Sequence, residues 1–254
     1  MISTFPRVQR WSYYQGFWYF PMFLEGLMSA QDHFTPRSTD IFITSCPKTG
    51  TTWLKALTFA ICTRSRLSGS SASSLLTRMP HDCLYWNMTL LKTPLNGTVQ
   101  FLWDAKDAFV SLWHFIADLQ RSKNIEPLSL EEAFELFCSG ISSYGPYWDH
   151  VLGYWRASLE FPEKILFLTY EEMKKDTASH VKKLAEFMGC SFTLEEEEEG
   201  EHRADDSSFA MKNGVFFRKG EIGDWANNLT AEMGARLDDI MEQKLKGSGL
   251  KLPR

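Results

Sequence analysis

Continuous apolar runs alternate along this chain with segments in which apolar residues recur at helical spacing. Three runs, Asp40 to Cys46, Thr98 to Trp103 and Lys164 to Thr169, are too continuous for half-exposed strands and predict parallel strands covered on both faces. Helical patterns fall between and after them. Ser129-Leu130-Glu131-Glu132 has capping-box spacing, and Ala133, Phe134, Phe137 and Ile141 then share one face, which predicts a helix from Leu130 to Ser139. Val181, Leu184, Ala185 and Met188 repeat the pattern before Gly189, placed to end that helix in a left-handed cap. Thr230 is positioned to cap a last helix whose stripe is Met233, Leu237, Ile240, Met241 and Leu245, ahead of Gly247. Strands alternating with helices predict an α/β fold with a central parallel sheet flanked by helices.

Composition narrows this picture. With 254 residues and 44% hydrophobic content the chain can bury one substantial core, so residues 1–254 are read as a single domain. The net charge of -5, with no long basic stretch to offset it, argues against broad nucleic-acid binding and for a small ligand. Cys46, Cys62, Cys83, Cys138 and Cys190 are scattered and lack C-x-x-C spacing, so they read as reduced thiols and suggest neither a disulfide framework nor a metal site. No secretory leader pattern opens the chain, and the expected location is cytoplasmic. The uncharged stretch from Trp11 to Leu24 contains Pro21 and is too short to span a bilayer, so no membrane association is expected. Its aromatic cluster, Tyr13, Tyr14, Phe17, Trp18, Tyr19 and Phe20, is either a core edge or part of an apolar pocket wall. Ser65 to Ser74 reads as a flexible loop, and the glutamate run from Leu194 to Glu201 as a solvated helix end or loop.

The candidate chemistry lies where the first strand ends. Cys46-Pro47-Lys48-Thr49-Gly50-Thr51-Thr52-Trp53 follows the apolar run directly, and the segment after it has helical spacing. Such a turn opens a helix with free N–H groups pointing outward, Gly50 allows close backbone approach, Lys48 adds a full charge, and Thr49, Thr51 and Thr52 add hydroxyl donors. A phosphate fits this cradle, and it sits at the carboxyl end of a strand, where ligands of parallel α/β sheets bind. A plainer alternative is an ordinary strand-to-helix turn with a surface lysine. A second basic segment, Arg218-Lys219-Gly220, pairs a directed guanidinium with a mobile ammonium and leaves room for an oxygen at the glycine N–H, which suits a phosphate monoester.

The lysine precedes the glycine of the cradle by two residues, unlike the usual G-x-x-x-x-G-K-[ST] phosphate loop. That order, closed by Trp53, resembles the 5′-phosphosulfate loop of the soluble, plant-like sulfotransferases, which use 3′-phosphoadenosine 5′-phosphosulfate (PAPS). Phe216-Phe217-Arg218-Lys219-Gly220-Glu221-Ile222-Gly223-Asp224-Trp225 resembles the same family's R-K-G-x-x-G-D-W segment. The resemblance implies a P-loop-like nucleotide-binding core in which Lys48, Thr49, Gly50, Thr51, Thr52 and Trp53 hold the 5′ end of the donor and its adenine. It also implies that Ser111, Arg218, Lys219 and Gly220 hold the 3′-phosphate and that Tyr170 hydrogen-bonds the adenine. The implied reaction is in-line sulfuryl transfer to a hydroxyl of a small, aromatic or hydroxylated metabolite. Lys48 steadies the leaving group, and no metal takes part.

Departures from the family pattern accompany the resemblance. The T-H-[LIM]-P histidine that serves the family as base is absent from Leu90-Leu91-Lys92-Thr93-Pro94-Leu95, and a stretch between Cys83 and Thr98 is missing. His81 is the candidate substitute; His33, His114, His150, His180 and His202 carry no motif. Trp103 stands where the family has an arginine, the segment between Cys190 and Val215 is short, and of the family's dimer motif only Thr230 remains, so that dimer is not predicted and the oligomeric state stays open. Two alternatives follow: a catalytically impaired PAP- or PAPS-binding protein of the same fold, and a nucleotide hydrolase or kinase using Asp104 at the end of Val99-Gln100-Phe101-Leu102-Trp103 to hold magnesium. The cradle's glycine–lysine order is wrong for the latter.

Overall fold

The computed structural model describes residues 11–37, 39–64, 97–197 and 221–251. Its centre is a parallel sheet in the order β3 (Phe42–Ser45), β4 (Thr98–Leu102), β5 (Ile165–Thr169). Phe42 pairs with Thr98, and Thr98 with Ile165, so the three strands start level; at the carboxyl edge Leu102 pairs with Thr169, while β3 ends at Ser45, opposite Phe101. All five residues of the central strand are buried, as expected of a strand covered on both faces. Each observed strand is a trimmed version of its predicted run: Asp40, Ile41 and Lys164 precede their strands, while Cys46 and Trp103 follow theirs toward the next helix.

Alternation along the strands sorts two cores. On one face Val99, Phe101, Leu166 and Leu168 meet Leu54 and Ile61 of α2 (Thr51–Thr63), Met173 of α6 (Tyr170–Lys175) and Leu184 of α7 (Thr177–Phe187). On the other, Leu102 and Phe167 meet α3 (Ala105–Arg121), α4 (Leu130–Cys138), α5 (Tyr147–Glu160) and α8 (Ala231–Leu245). Leu54, Val99 and Phe101 are fully buried, and each such side chain contributes on the order of 1.5–3 kcal/mol relative to exposure.

The helix boundaries have local causes. Ser129 and Glu132 form the predicted reciprocal capping box of α4, and Thr230 accepts the Met233 N–H at the start of α8. Asp104 caps α3 by accepting the Lys106 N–H at 2.8 Å. Gly189 and Gly247 adopt left-handed φ of +68° and +77° just past α7 and α8.

The amino-terminal aromatic cluster divides between its two expected roles. Ser12–Tyr14 (β1) and Phe17–Tyr19 (β2) form a hairpin whose two-residue loop, Gln15-Gly16, has positive φ at both positions, the geometry that matches strand twist. The hairpin docks on the segment before α5 through Trp18 N–H to the Gly145 carbonyl at 2.9 Å and Tyr144 N–H to the Trp18 carbonyl at 2.8 Å. Tyr19 is core, packed edge-on against Tyr144, while Phe20, just before α1 (Pro21–His33), lines a cleft. No described helix is long and apolar enough to cross a membrane.

Candidate active site

Three strand-to-helix junctions meet at the carboxyl edge of the sheet. The first is the cradle. Gly50 is the N-cap of α2 with φ +92°, and a Cβ there would lie 2.8 Å from Phe101 Cε1, so both backbone and packing require glycine. Lys48 itself has a left-handed φ of +67°, a conformation few non-glycine residues adopt. Gly50 offers no capping side chain, which leaves the first N–H groups of α2 to be met from outside the helix.

The threonines of the cradle divide. Thr49 is fully buried and its hydroxyl donates to the Cys46 carbonyl at 2.7 Å. That bond closes the turn from inside, since an unpaired hydroxyl at that depth would be costly. Thr51 bonds to Ser45 at the end of β3, and Thr52 is half-buried in the first turn of α2. Trp53 stacks on Phe101 with ring centroids 5.8 Å apart.

At the second junction, β4 runs into α3. The Lys48 ammonium lies 4.9 Å from the centroid of Phe115, one helical turn beyond the buried Ser111, so the cradle lysine and the Ser111 helix converge. Trp103 fills the strand end. Asp104 is occupied as helix cap and lies 3.9 Å from Lys106, and among the described residues no group of His, Cys, Asp and Glu could hold a metal ion. The magnesium reading of Asp104 thus finds no companion ligands there.

Tyr170 opens the third junction, directly after β5. Its ring stands edge-on to Phe101 at 6.1 Å and tilted on Trp103 at 5.0 Å. Burial, then the adjacent Glu171 carboxylate, holds its phenol above the ordinary range, so it remains protonated and able to donate. Glu171 accepts the Asp104 N–H at 2.8 Å, tying the second and third junctions together, and burial pushes its carboxyl up to about 7.

Asp107, in the first turn of α3 and one turn before Ser111, is a residue to which the sequence alone assigned no role. Its carboxylate accepts the Gly223 N–H at 2.8 Å and the Trp225 N–H at 2.9 Å. Lys106 lies 4.7 Å over the Trp225 ring, and a Cβ at Gly234 would sit 2.6 Å from that ring. The glycine–aspartate–tryptophan segment is thus fastened to the helix that carries Ser111. Its available signal was spacing: Asp107 and Ser111 are four apart on a helix and share a face.

Arg218, Lys219, Gly220 and His81 lie outside the described residues. Of the other histidines, His114 is within 2.9 Å of Asn228 Oδ1, and His33 and His180 bond to carbonyls of their own helices or caps. His150 is buried beside Gln100, and burial pulls its imidazole down to about 4, leaving it neutral.

Beyond the Lys48 turn lies an apolar cleft whose walls include Trp11, Phe20, Phe109, Leu112, Trp113 and Ile116. A smaller recess shares Leu112, Phe137, Ser142 and Ser143 with it and reaches Pro47.

A parallel α/β sheet with a glycine-bearing anion cradle at its carboxyl edge defines a nucleotide-binding class of protein. The sulfotransferase domain model matches residues 38–98 and 89–249, and the chain belongs to the sulfotransferase family. The two matched segments meet at 89–98, where the sequence reading places a missing stretch. Cytosolic sulfotransferase 16 of Arabidopsis thaliana is 40% identical over 307 aligned positions, covering 98% of this chain and 90% of that protein. Those positions outnumber the residues of the chain, so the relative has residues for which this chain has no counterpart. Flavonol 3-sulfotransferase of Flaveria bidentis is 39% identical, covering 94% and 92%. Among solved structures, an Arabidopsis thaliana sulphotransferase superposes with a TM-score of 0.73 at 32% identity, covering 100% of this chain and 92% of that one. Mouse SULT7A1, complexed with PAP, shares the fold at a TM-score of 0.66 and 24% identity, covering 94% and 96%.

Proposed function

We propose that this chain, acting as one sulfotransferase-like unit, transfers the sulfuryl group of PAPS to a hydroxyl of a small aromatic or hydroxylated metabolite. The cradle carries the reading: Gly50, held open by its backbone and by Phe101 beneath it, brings the uncapped start of α2 and Lys48 together beside the helix of Ser111. The residues fit the donor. The cradle N–H groups, Thr51, Thr52 and Lys48 would hold the 5′-phosphate, Trp53 and Tyr170 the adenine, and Ser111 the 3′-phosphate. Asp107 fastens Gly223, three residues past Gly220, and a chain advances at most about 3.6 Å per residue. That tether supports the assignment of Arg218, Lys219 and Gly220 to the same phosphate.

PAPS would supply an activated sulfuryl group already joined to its leaving group. Lys48 would offset charge growing on the bridging oxygen as that bond breaks, and a preorganised charge of this kind is often the largest catalytic contribution. The cleft running from Pro47 past Leu112 to Phe20 supports an apolar, aromatic acceptor. His81 remains the candidate base. The names of the cytosolic relatives support a cytoplasmic location.

A second reading, a PAP-binding protein without transfer, is favoured by the missing histidine motif and by the engagement of His114 and His150 elsewhere. Turnover of labelled PAPS over flavonols, simple phenols and steroids, paired with PAP calorimetry, separates the two. Transfer establishes the first; PAP binding with no transfer to any acceptor establishes the second.

A further inference from the structure

Trp103 follows the last residue of β4 and is only 8% exposed, yet its indole N–H has no hydrogen-bond partner among the described residues. A buried donor left unmade is costly, so such a group in a folded protein calls for a partner. Its position indicates which. Trp103 and Phe101 are two apart along a strand and share one face. Phe101 forms the floor under Gly50, Trp53 stacks on it, and Tyr170 touches both Phe101 and Trp103. One aromatic row therefore leads from the cradle across the carboxyl edge and ends on the Trp103 ring. Other buried groups without a partner among the described residues lie elsewhere: the Trp11 indole N–H is in a residue of the apolar cleft wall, the Thr58 hydroxyl is within α2, and His150 Nδ1 is in the core on α5.

We propose that Trp103 is a nucleotide-binding residue of this chain, its neutral indole N–H donating to an acceptor atom of the bound adenosine nucleotide. The inference rests on reading the cradle as the donor site. An indole donor differs in kind from a cationic one: it fixes an acceptor's position without adding charge, beside a strand end already occupied by Asp104 and Glu171.

Two measurements test it. In proton–nitrogen correlation spectra the Trp103 indole resonance, assigned by its loss in Trp103→Phe, should move downfield as PAP is added to saturation. Trp103→Phe keeps a buried aromatic ring and removes the donor. It should bind PAP about tenfold more weakly, one hydrogen bond's worth, with the unliganded melting temperature unchanged or raised. Repeating the titration with AMP locates the acceptor: a loss confined to PAP points to the 3′-phosphate, and an equal loss with AMP to the ribose or base. An indole resonance that stays put in saturated wild type overturns the proposal, whatever Trp103→Phe does to affinity. So does a variant that binds PAP as tightly as wild type. Wild type that binds neither nucleotide removes the donor-site reading itself, and this inference with it.

Discussion

The cradle is built from neighbours in sequence, whereas the end of β4 is completed by residues drawn from far along the chain. Residues 46–53 shape the first through a left-handed Lys48, a left-handed Gly50 and the inward bond of Thr49. At the second, Glu171 arrives from 67 positions away to hold Asp104, and Asp107 holds Gly223 from 116 positions away. A contiguous turn keeps its shape once its strand, its helix and the ring of Phe101 beneath Gly50 are in place. An assembled junction depends on more long-range contacts, so damage at distant positions other than Phe101 should reach it before it reaches the cradle.

Substitutions at the two places should separate accordingly. Lys48→Ala carries the largest expected effect, a loss of about 10²–10³ in kcat with the fold intact, as when a preorganised charge partner is removed. Steady-state transfer assays check it, and a kcat within threefold of wild type would remove Lys48 from the chemistry. Gly50→Ala comes next. It adds a left-handed strain of about 1–3 kcal/mol and a methyl against Phe101, and should abolish measurable PAP binding while the melting temperature falls. Calorimetry that finds normal affinity would show that the cradle is not the phosphate site.

Asp107→Asn probes the assembled junction. It keeps one acceptor for Gly223 and Trp225 and turns the other into a donor facing a donor. PAP affinity should fall about tenfold with AMP affinity unchanged, since loss of a hydrogen bond to a charged group costs roughly 1.5–3 kcal/mol. Equal losses for both nucleotides would mean that Asp107 merely supports the fold.

The smallest effect concerns Glu171. Its folded pKa, pushed up to about 7 by burial, lies above its ordinary value of 4.5, so its contribution to stability is full below pH 4.5 and is lost as pH rises through 7. Glu171→Gln keeps an acceptor for the Asp104 N–H and cannot ionise. Thermal melts from pH 4.5 to 7.5 should decline less with rising pH in the variant; identical slopes would place the titration elsewhere.

This same contrast explains what could be read in advance. The three strands, the Ser129 capping box, the Thr230 cap and the Gly189 stop were legible because each depends on adjacent residues, and so was the cradle. The hairpin was missed although Gln15-Gly16 between aromatic runs carries its turn signal, because both strands are only three residues long. The inward bond of Thr49 was not legible, because composition supplies a hydroxyl but not its direction. The role of Asp107 was not legible because its partners lie at the other end of the chain, and the unmet donor of Trp103 shows only once its surroundings are assembled.

The ring of Phe101 under Gly50 has a further consequence for redesign. The base of the cradle and the hydrophobic interior between β4 and α2 are one surface, so nucleotide preference cannot be recut there without repacking the protein. The cleft beyond Leu112 is different at its rim: Phe109 and Phe137 in its depth belong to the second core, but the half-buried Phe20 and Ile116 come from separate segments and can be exchanged one side chain at a time. One end of the site behaves as a cast socket, and the other as a fitting that can be replaced.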